Sequence, residues 1–282
     1  MRKRIVSKIK KFIGASKFRW LGLRGKKPIR VYYWKKKVNF GDLITPSLLI
    51  KFGYVPVFSK PDKEAQLIST GSLIEHIKPN FKGYILGTGA INEKTENFFP
   101  NAKILGLRGE FTKENLDVQK EIVLGDPGLI SSILLKERCK KEFRLGIVPH
   151  FSDLENPSVS NLEKNNPSEI TIIDVRNEPV HVLSHMDKCE YILSSSLHGL
   201  ICADSLGIPN KWIKLSQLLG NDFKFKDYYS VFGVEPQPLI INGSESPDEL
   251  ISHTVLQDPK KLEKLKGDLI SAFENLHQTI NG

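Results

Sequence analysis

Short apolar runs alternate with amphipathic stretches of helical periodicity along most of this chain, and the alternation constrains its fold more than any other feature. A β/α pattern of this kind is typical of a parallel sheet that is covered by helices on both faces. The sequence therefore predicts an α/β protein. Strands are predicted in two series, at residues 29–34, 55–58, 66–69, 84–87, 104–107 and 122–124 and at residues 144–149, 169–175, 191–193 and 212–215.

A polar, charged run at residues 135–142 separates the two series and predicts a domain boundary near residue 142. Residues 152–168 are rich in Asn, Pro and Ser, which predicts a surface loop. Asp258 and Pro259 predict the start of a final amphipathic helix. The expected organisation is a basic arm, an N-terminal domain, a C-terminal domain and a C-terminal helix, at residues 1–27, 28–142, 143–250 and 251–282.

The positive charge of the chain is concentrated at its N-terminus. Residues 1–37 hold 15 of the 41 Lys and Arg side chains and none of the 32 acidic ones, so the remainder is net acidic. In residues 1–26 the cations surround apolar side chains at helical spacing, a pattern that favours an anionic membrane surface as partner. A helix packed on the protein body is the alternative. Nucleic acid is not expected as a partner, because no nucleic-acid motif follows.

Other sequence features indicate a cytoplasmic protein located at the inner face of the cell membrane. No apolar run reaches the roughly 18 residues that a membrane span needs. The three cysteines, Cys139, Cys189 and Cys202, are scattered and odd in number. This usage favours reduced thiols over a disulfide framework.

The segment with the strongest chemical signal is residues 190–210. A short strand ends in Ser194, Ser195 and Ser196, and a helix carrying His198 in its first turn follows and ends at Gly207. Such a helix start presents free N–H groups and a positive dipole end, which favour an anion. The His198 imidazole can transfer a proton near neutral pH. In the alternative interpretation, the serines only cap the helix and His198 is a half-buried structural residue.

Further polar residues directly follow predicted strands, where open parallel sheets bind their ligands. Alternative roles are helix capping for Asn39 and Asp42 and a surface salt bridge for Arg108. No metal-binding constellation is visible in the sequence. The candidates beside the serine segment are Asn39, Gly41, Asp42, Thr88, Gly89, Arg108 and His150, with Lys224 and Lys226 further downstream.

Taken in order, these segments resemble the polysaccharide pyruvyl transferase family. The run Ser-Ser-Ser-Leu-His-Gly-Leu with Gly-Ile-Pro downstream is the most specific of them. The resemblance spans roughly residues 30–230 and rests on segments 39–42, 87–89, 108–112, 125–128, 146–153, 194–209 and 224–229.

The resemblance implies two Rossmann-like domains that face each other across a cleft, as in GT-B glycosyltransferases. It implies phosphoenolpyruvate as the donor, no cofactor or metal, and a sugar of a surface polysaccharide or its lipid-linked precursor as the acceptor. The product would be a pyruvate ketal. Some family members carry an arginine that grips the donor two residues before the motif histidine. This chain has Ser196 there, so another cation must supply the charge.

For a ketal-forming reaction, the expected general acid is His198, and His150 or Asp42 is the base or positions the acceptor. Arg108, the helix that follows the serines, and Lys224 or Lys226 are expected to bind the donor. Two other functions stay open at this point. One is a GT-B glycosyltransferase that uses a sugar nucleotide, and the other is a non-catalytic module that binds an anionic glycan or lipid.

Overall fold

A computed structural model describes residues 27–35, 39–61, 64–94, 99–216 and 222–281, and the predicted arm at residues 1–26 lies outside these ranges. The first sheet has six parallel strands in the order β2-β1-β3-β4-β5-β6. Its strands are β1 (Lys27–Tyr32), β2 (Tyr54–Phe58), β3 (Leu67–Ile68), β4 (Tyr84–Leu86), β5 (Lys103–Leu107) and β6 (Val123–Leu124).

The second sheet has four parallel strands in the order β10-β9-β7-β8. Both sheets confirm the predicted α/β class, and each predicted strand coincides with an observed one. The domain limits and the GT-B arrangement of the two halves stay predictions. The strands of this sheet are β7 (Phe143–Val148), β8 (Ile170–Ile172), β9 (Cys189–Ser194) and β10 (Asn210–Trp212).

Helices connect most of the strands. No helix within the described ranges combines the length and the apolar character that crossing a bilayer requires. The helices are α1 (Phe40–Lys51), α2 (Glu110–Asn115), α3 (Pro157–Asn165), α4 (Pro179–Asp187), α5 (Leu197–Leu206), α6 (Phe223–Ser230), α7 (Pro247–Ser252), α8 (Pro259–Glu274) and α9 (Leu276–Asn281).

Helix α3 corrects one prediction, because it occupies the segment at residues 152–168 that was expected to be a loop. The Asn156 side chain caps it by accepting a hydrogen bond of 2.9 Å from Ser158 N–H, and Pro157 occupies the first turn. Val159 and Leu162 are completely buried. A cap and two core positions therefore outweigh a polar composition that, on average, favours loops.

Two connections bring the halves together near the ends of their strands. A 3₁₀ helix, Pro127–Leu134, follows β6 and packs on α5, where the Ser132 N–H donates to Ser205 Oγ at 2.9 Å. At the start of α1, the Phe40 N–H donates to the Val175 carbonyl, beyond β8, at 2.9 Å. The amino ends of α1 and α5 are thereby held at one place.

Candidate active site

A cavity of about 400 Å³ lies where the loops after strands of both sheets meet. Residues following β1 and β3 of the first sheet and β7 and β9 of the second line it, as expected for ligand sites at the carboxyl ends of parallel strands. Its polar lining consists of Asn39, Asp42, Ser72, Ser152, Ser196, His198 and Lys224. Its aromatic lining consists of Trp34, His76, His150 and Phe151.

His198 lies in the first turn of α5, and its imidazole is packed against the start of α1. A Cβ at Gly41 would lie only 2.1 Å from His198 Nδ1, so only glycine leaves room for the ring. His198 Nε2 is buried, makes no hydrogen bond within the described part of the chain, and lies 3.8 Å from Asp126 Oδ2. Burial lowers the pKa of His198 below its usual value, whereas the Asp126 carboxylate acts in the opposite direction.

Asp126 forms a buried carboxylate behind His198. It is completely buried, and its oxygens accept hydrogen bonds from the N–H groups of Gly128, at 2.8 Å, and Gly71, at 3.3 Å. Its Gly-Asp-Pro-Gly context is the sequence signal, which a turn explains equally well. At 3.8 Å the Asp126 carboxylate is beyond hydrogen-bonding distance of His198 Nε2, so it acts on the imidazole through its charge.

The three serines after β9 have different roles. Ser194 Oγ donates to the Val148 and Ser196 carbonyls at 2.7 and 2.8 Å, so it shapes the turn. Ser195 Oγ donates to Asp153 Oδ2 at 2.7 Å and accepts from His150 N–H at 2.9 Å. Of the three, only Ser196 lines the cavity.

His150 lines the cavity from the loop that follows β7. Its Nδ1 lies 2.7 Å from Ser152 Oγ, and its ring centroid lies 4.2 Å from that of Phe151. The buried Asp153 carboxylate ties this loop to Ser195 and also accepts from Ser216 Oγ at 2.7 Å. The loop is therefore anchored to the second sheet, and His150 and His198 face the same cavity.

Asp42 and Asn39 bring the start of α1 to the cavity. Asn39 is the N-cap, and its Oδ1 accepts from Gly41 N–H at 3.3 Å. Burial raises the pKa of Asp42 to about 7, although a hydrogen bond from Asn39 and the charge of Lys224 lower it. A carboxyl with this pKa exchanges its proton in the neutral range, which suits acid–base chemistry.

Of the two candidate lysines on α6, only Lys224 lines this cavity. Burial, and then the positive charge of Arg108, lower the pKa of Lys224 to about 8, whereas Asp222, Asp153 and Asp42 raise it. Lys226 lies two positions further along α6, on a different helix face, and lines a separate cavity of about 770 Å³ with Glu110 and Glu114. The structure thus selects Lys224 from the predicted pair.

Arg108 lies behind the cavity wall and not on it. It is completely buried, and its Nε donates to Asp227 Oδ2 at 2.7 Å. Its terminal nitrogens donate to Ser72 Oγ at 2.5 Å and to the Ala90 carbonyl at 2.6 Å. Arg108 therefore supports Ser72 and helix α6 from behind the wall, and direct binding of the donor by Arg108 stays a prediction.

Thr88 and Gly89 also support the wall from behind. Thr88 Oγ1 donates to the Gly71 carbonyl at 2.7 Å and accepts from Leu73 N–H at 3.1 Å. A Cβ at Gly89 would lie 2.3 Å from Arg108 Cζ, so this glycine makes room for the guanidinium. Neither residue lines this cavity, and their contact with substrate stays a prediction.

Trp34 and His76 are lining residues that the sequence did not reveal. Their ring centroids lie 4.9 Å apart, with 30° between the ring planes. They are 42 positions apart in the sequence, and each stands outside the strand-end motifs. Only the pairing of β1 with β3 brings their loops together.

With this geometry established, comparison with known proteins identifies the family. The sequence model of the polysaccharide pyruvyl transferase family matches residues 11–214, more than half of the chain. The chain belongs to this family. Pyruvyl transferases of polysaccharides are enzymes, so we regard the cavity around His198 as the candidate active site.

Individual relatives are more distant. An uncharacterized protein of Acanthamoeba polyphaga mimivirus is 29% identical over 222 residues, which cover 74% of this chain and 76% of that protein. The succinoglycan biosynthesis protein ExoV of Rhizobium meliloti (strain 1021) is 24% identical over 274 residues, covering 89% of this chain and 83% of ExoV. A crystal structure of an uncharacterized Klebsiella pneumoniae protein matches with 15% identity and a TM-score of 0.43, over 77% of this chain and 93% of that chain.

The contact between Gly41 and His198 gives a first test. Gly41→Ala places a methyl group where the imidazole lies, so we expect the ring to move and pyruvyl transfer to fall by about 10²-fold, the typical cost of a small misplacement. Gly267→Ala is the matched control, since nothing lies within 4 Å of a Cβ at that position. Equal initial rates for the two folded variants would show that this contact does not position His198.

Proposed function

We propose that this transferase uses phosphoenolpyruvate as donor and forms a pyruvate ketal across two hydroxyls of one sugar. The sugar belongs to a surface polysaccharide or its lipid-linked precursor. The main support for the proposal is that this member of the pyruvyl transferase family has one cavity lined by His198, Asp42 and Lys224. The amino end of α5 also faces this cavity. The relative named for succinoglycan biosynthesis supports a saccharide acceptor.

The donor carries a carboxylate and a phosphate, so its site requires cations and N–H donors. Lys224 provides the cation that the family arginine provides elsewhere, and Ser196 adds a hydroxyl. The N–H groups of Leu197 and His198 precede the first internal hydrogen bond of α5, which Gly199 donates to Ser196 at 3.0 Å. A buried lysine and a helix amino end together form an anion site.

We assign the general acid role to His198. Burial lowers the pKa of His198, which favours the neutral ring at neutral pH. The negative charges of the bound donor favour the imidazolium, so donor binding and protonation of His198 are coupled. The protonated ring then gives its proton to the methylene carbon of the donor, which becomes the methyl group of the product.

Asp42 accepts the proton of the first sugar hydroxyl as its oxygen bonds to the donor's central carbon. The bond from that carbon to the phosphate oxygen then breaks and leaves an oxocarbenium ion, to which the second hydroxyl of the same sugar adds as the departing phosphate takes its proton. Proton exchange with solvent returns Asp42 and His198 to their starting states. The products are the ketal and inorganic phosphate, so all atoms are accounted for. His150, which is anchored through Ser195, positions the acceptor in this scheme.

We also propose that residues 1–26, which lie outside the described residues, bind the anionic inner face of the cell membrane. Support comes from their cations and interleaved apolar side chains. Such attachment would place a cytoplasmic enzyme beside lipid-linked acceptors.

The donor and the reaction are tested together by incubating the protein with phosphoenolpyruvate and a panel of free and lipid-linked saccharides. We expect phosphate release and a saccharide mass gain equal to pyruvic acid less water. His198→Ala should reduce the rate by about 10²- to 10⁴-fold, because it removes the general acid.

Other outcomes of this experiment favour the alternatives. Thermal stabilisation by a nucleoside diphosphate but not by phosphoenolpyruvate would indicate a sugar-nucleotide transferase. Saccharide binding without turnover of any donor would indicate a binding module. Full turnover by folded His198→Ala protein would remove this residue from the chemistry.

The pKa of Lys224 predicts how donor affinity depends on pH. Lys224 is charged below its pKa of about 8 and neutral above it, so affinity should fall as pH rises through this value. In a His198→Ala background, which removes turnover and the histidine titration, we expect a loss of about tenfold between roughly pH 7.5 and 9.5. Adding Lys224→Arg should make the affinity constant over this range, because arginine stays charged. Calorimetric titration with phosphoenolpyruvate measures the affinity of both variants at each pH. The same pH dependence of affinity with Lys224 and with Lys224→Arg would contradict the role of Lys224.

The arm is tested by deleting residues 1–26. The shortened protein should lose binding to vesicles that contain anionic lipid but retain turnover on a soluble acceptor, because the catalytic residues all lie beyond residue 26. Cosedimentation with neutral vesicles is the control. Undiminished binding of the shortened protein to anionic vesicles would refute the membrane role of the arm.

A further inference from the structure

The cavity contains an aromatic surface that the proposed reaction does not yet use. Trp34 and His76 both line it, with ring planes inclined by only 30° and centroids 4.9 Å apart. Asn39 and Asp42, at the start of α1, line the same cavity. Trp34 and the proposed base therefore lie at the two ends of the connection between β1 and α1, and His76 comes from the loop after β3.

The loop that carries His76 is held firmly. Leu73 N–H donates to Thr88 Oγ1 at 3.1 Å, and His76 N–H donates to the Leu73 carbonyl at 3.0 Å. Glu75 Oε1 accepts from the N–H groups of Ile91 and Asn92 at 2.7 and 3.1 Å. The His76 ring therefore extends from a fixed turn, as a preorganised binding surface requires.

The chemistry of an aromatic face distinguishes between donor and acceptor. The face of an aromatic ring is electronegative, so it does not favour the carboxylate or phosphate of the donor. One face of a pyranose ring presents C–H groups that are apolar and weakly positive, and its hydroxyls project from the edge. Phosphoenolpyruvate is also much smaller than a cavity of about 400 Å³, which leaves room for a sugar ring.

We propose that Trp34, with the His76 ring packed against it, forms the platform on which the acceptor sugar ring stacks, with two of its hydroxyls directed into the polar part of the cavity. This proposal rests on the proposed function, because it assigns the acceptor subsite of the same reaction. In this proposal, Trp34 and His76 select a pyranose acceptor and hold it during ketal formation.

The first test measures kinetics with the saccharide that supports phosphate release. Trp34→Leu should raise the KM for this saccharide by roughly tenfold, while the KM for phosphoenolpyruvate changes by less than about twofold. Trp34→Phe keeps an aromatic face and should retain most of the affinity. The matched control is Tyr33→Leu, which removes a ring that contacts Phe58 and does not line the cavity.

A second test does not depend on turnover. Saturation-transfer NMR of the methyl glycosides of glucose, galactose and mannose with His198→Ala protein should show transfer to ring C–H protons of at least one sugar. Adding Trp34→Leu should abolish this signal, and adding Tyr33→Leu should leave it intact.

The two tests separate the platform from the chemistry. Binding that requires Trp34, without phosphate release from any donor–saccharide pair, supports the platform and contradicts the proposed function. Phosphate release with an unchanged saccharide KM in folded Trp34→Leu protein overturns the platform alone. Saturation transfer to the base protons of a nucleoside diphosphate that Trp34→Leu abolishes, with no transfer to any methyl glycoside, overturns it in favour of a stacked nucleobase.

Discussion

The buried ion pair between Arg108 and Asp227 is the interaction on which the active-site geometry depends. Asp227 belongs to α6, which follows the second sheet, and Arg108 directly follows β5 of the first. Asp227 also accepts hydrogen bonds from Thr112 N–H at 2.6 Å and Thr112 Oγ1 at 2.8 Å. Removing one partner of such a pair typically costs roughly 3–5 kcal/mol, because the other charge stays buried. The pair thereby fixes the helix that carries Lys224 and the wall that contains Ser72.

The charge in the empty cavity is lower than its side chains alone suggest. Burial is the largest influence on all three titrating groups, and it lowers the pKa of His198 and Lys224 and raises that of Asp42. Each group is therefore shifted toward its neutral form. An anionic donor reverses this for the two bases, because it stabilises their charged forms. The site is consequently best suited to a ligand that supplies the missing negative charge itself.

The sequence predicted the β/α architecture well, because strand periodicity and turn residues are local signals. It also placed His198, Asp42, His150 and Lys224 correctly at strand ends or downstream of them, although their convergence rested on the family resemblance. What it could not predict depends on contacts between distant segments. The buried partner of Arg108 lies 119 positions away, and the aromatic pair is formed by residues of two separate loops. The local sequence pattern also gave a wrong prediction at α3, where the buried side chains of Val159 and Leu162 stabilise a helix in a polar segment.

The glycines of the strand-end motifs show how two sequence motifs that are weak signals separately can reflect one contact in the structure. Gly41 and Gly89 were both candidate site residues, and in the structure each makes room for a protein side chain. A Cβ at Gly41 would collide with His198, and one at Gly89 would collide with the Arg108 guanidinium. His198 comes from the second half of the chain, so the requirement for glycine at position 41 arises only when both halves are assembled. The motifs Asn-Phe-Gly-Asp and Ser-Leu-His-Gly therefore meet in one contact, between Gly41 and His198.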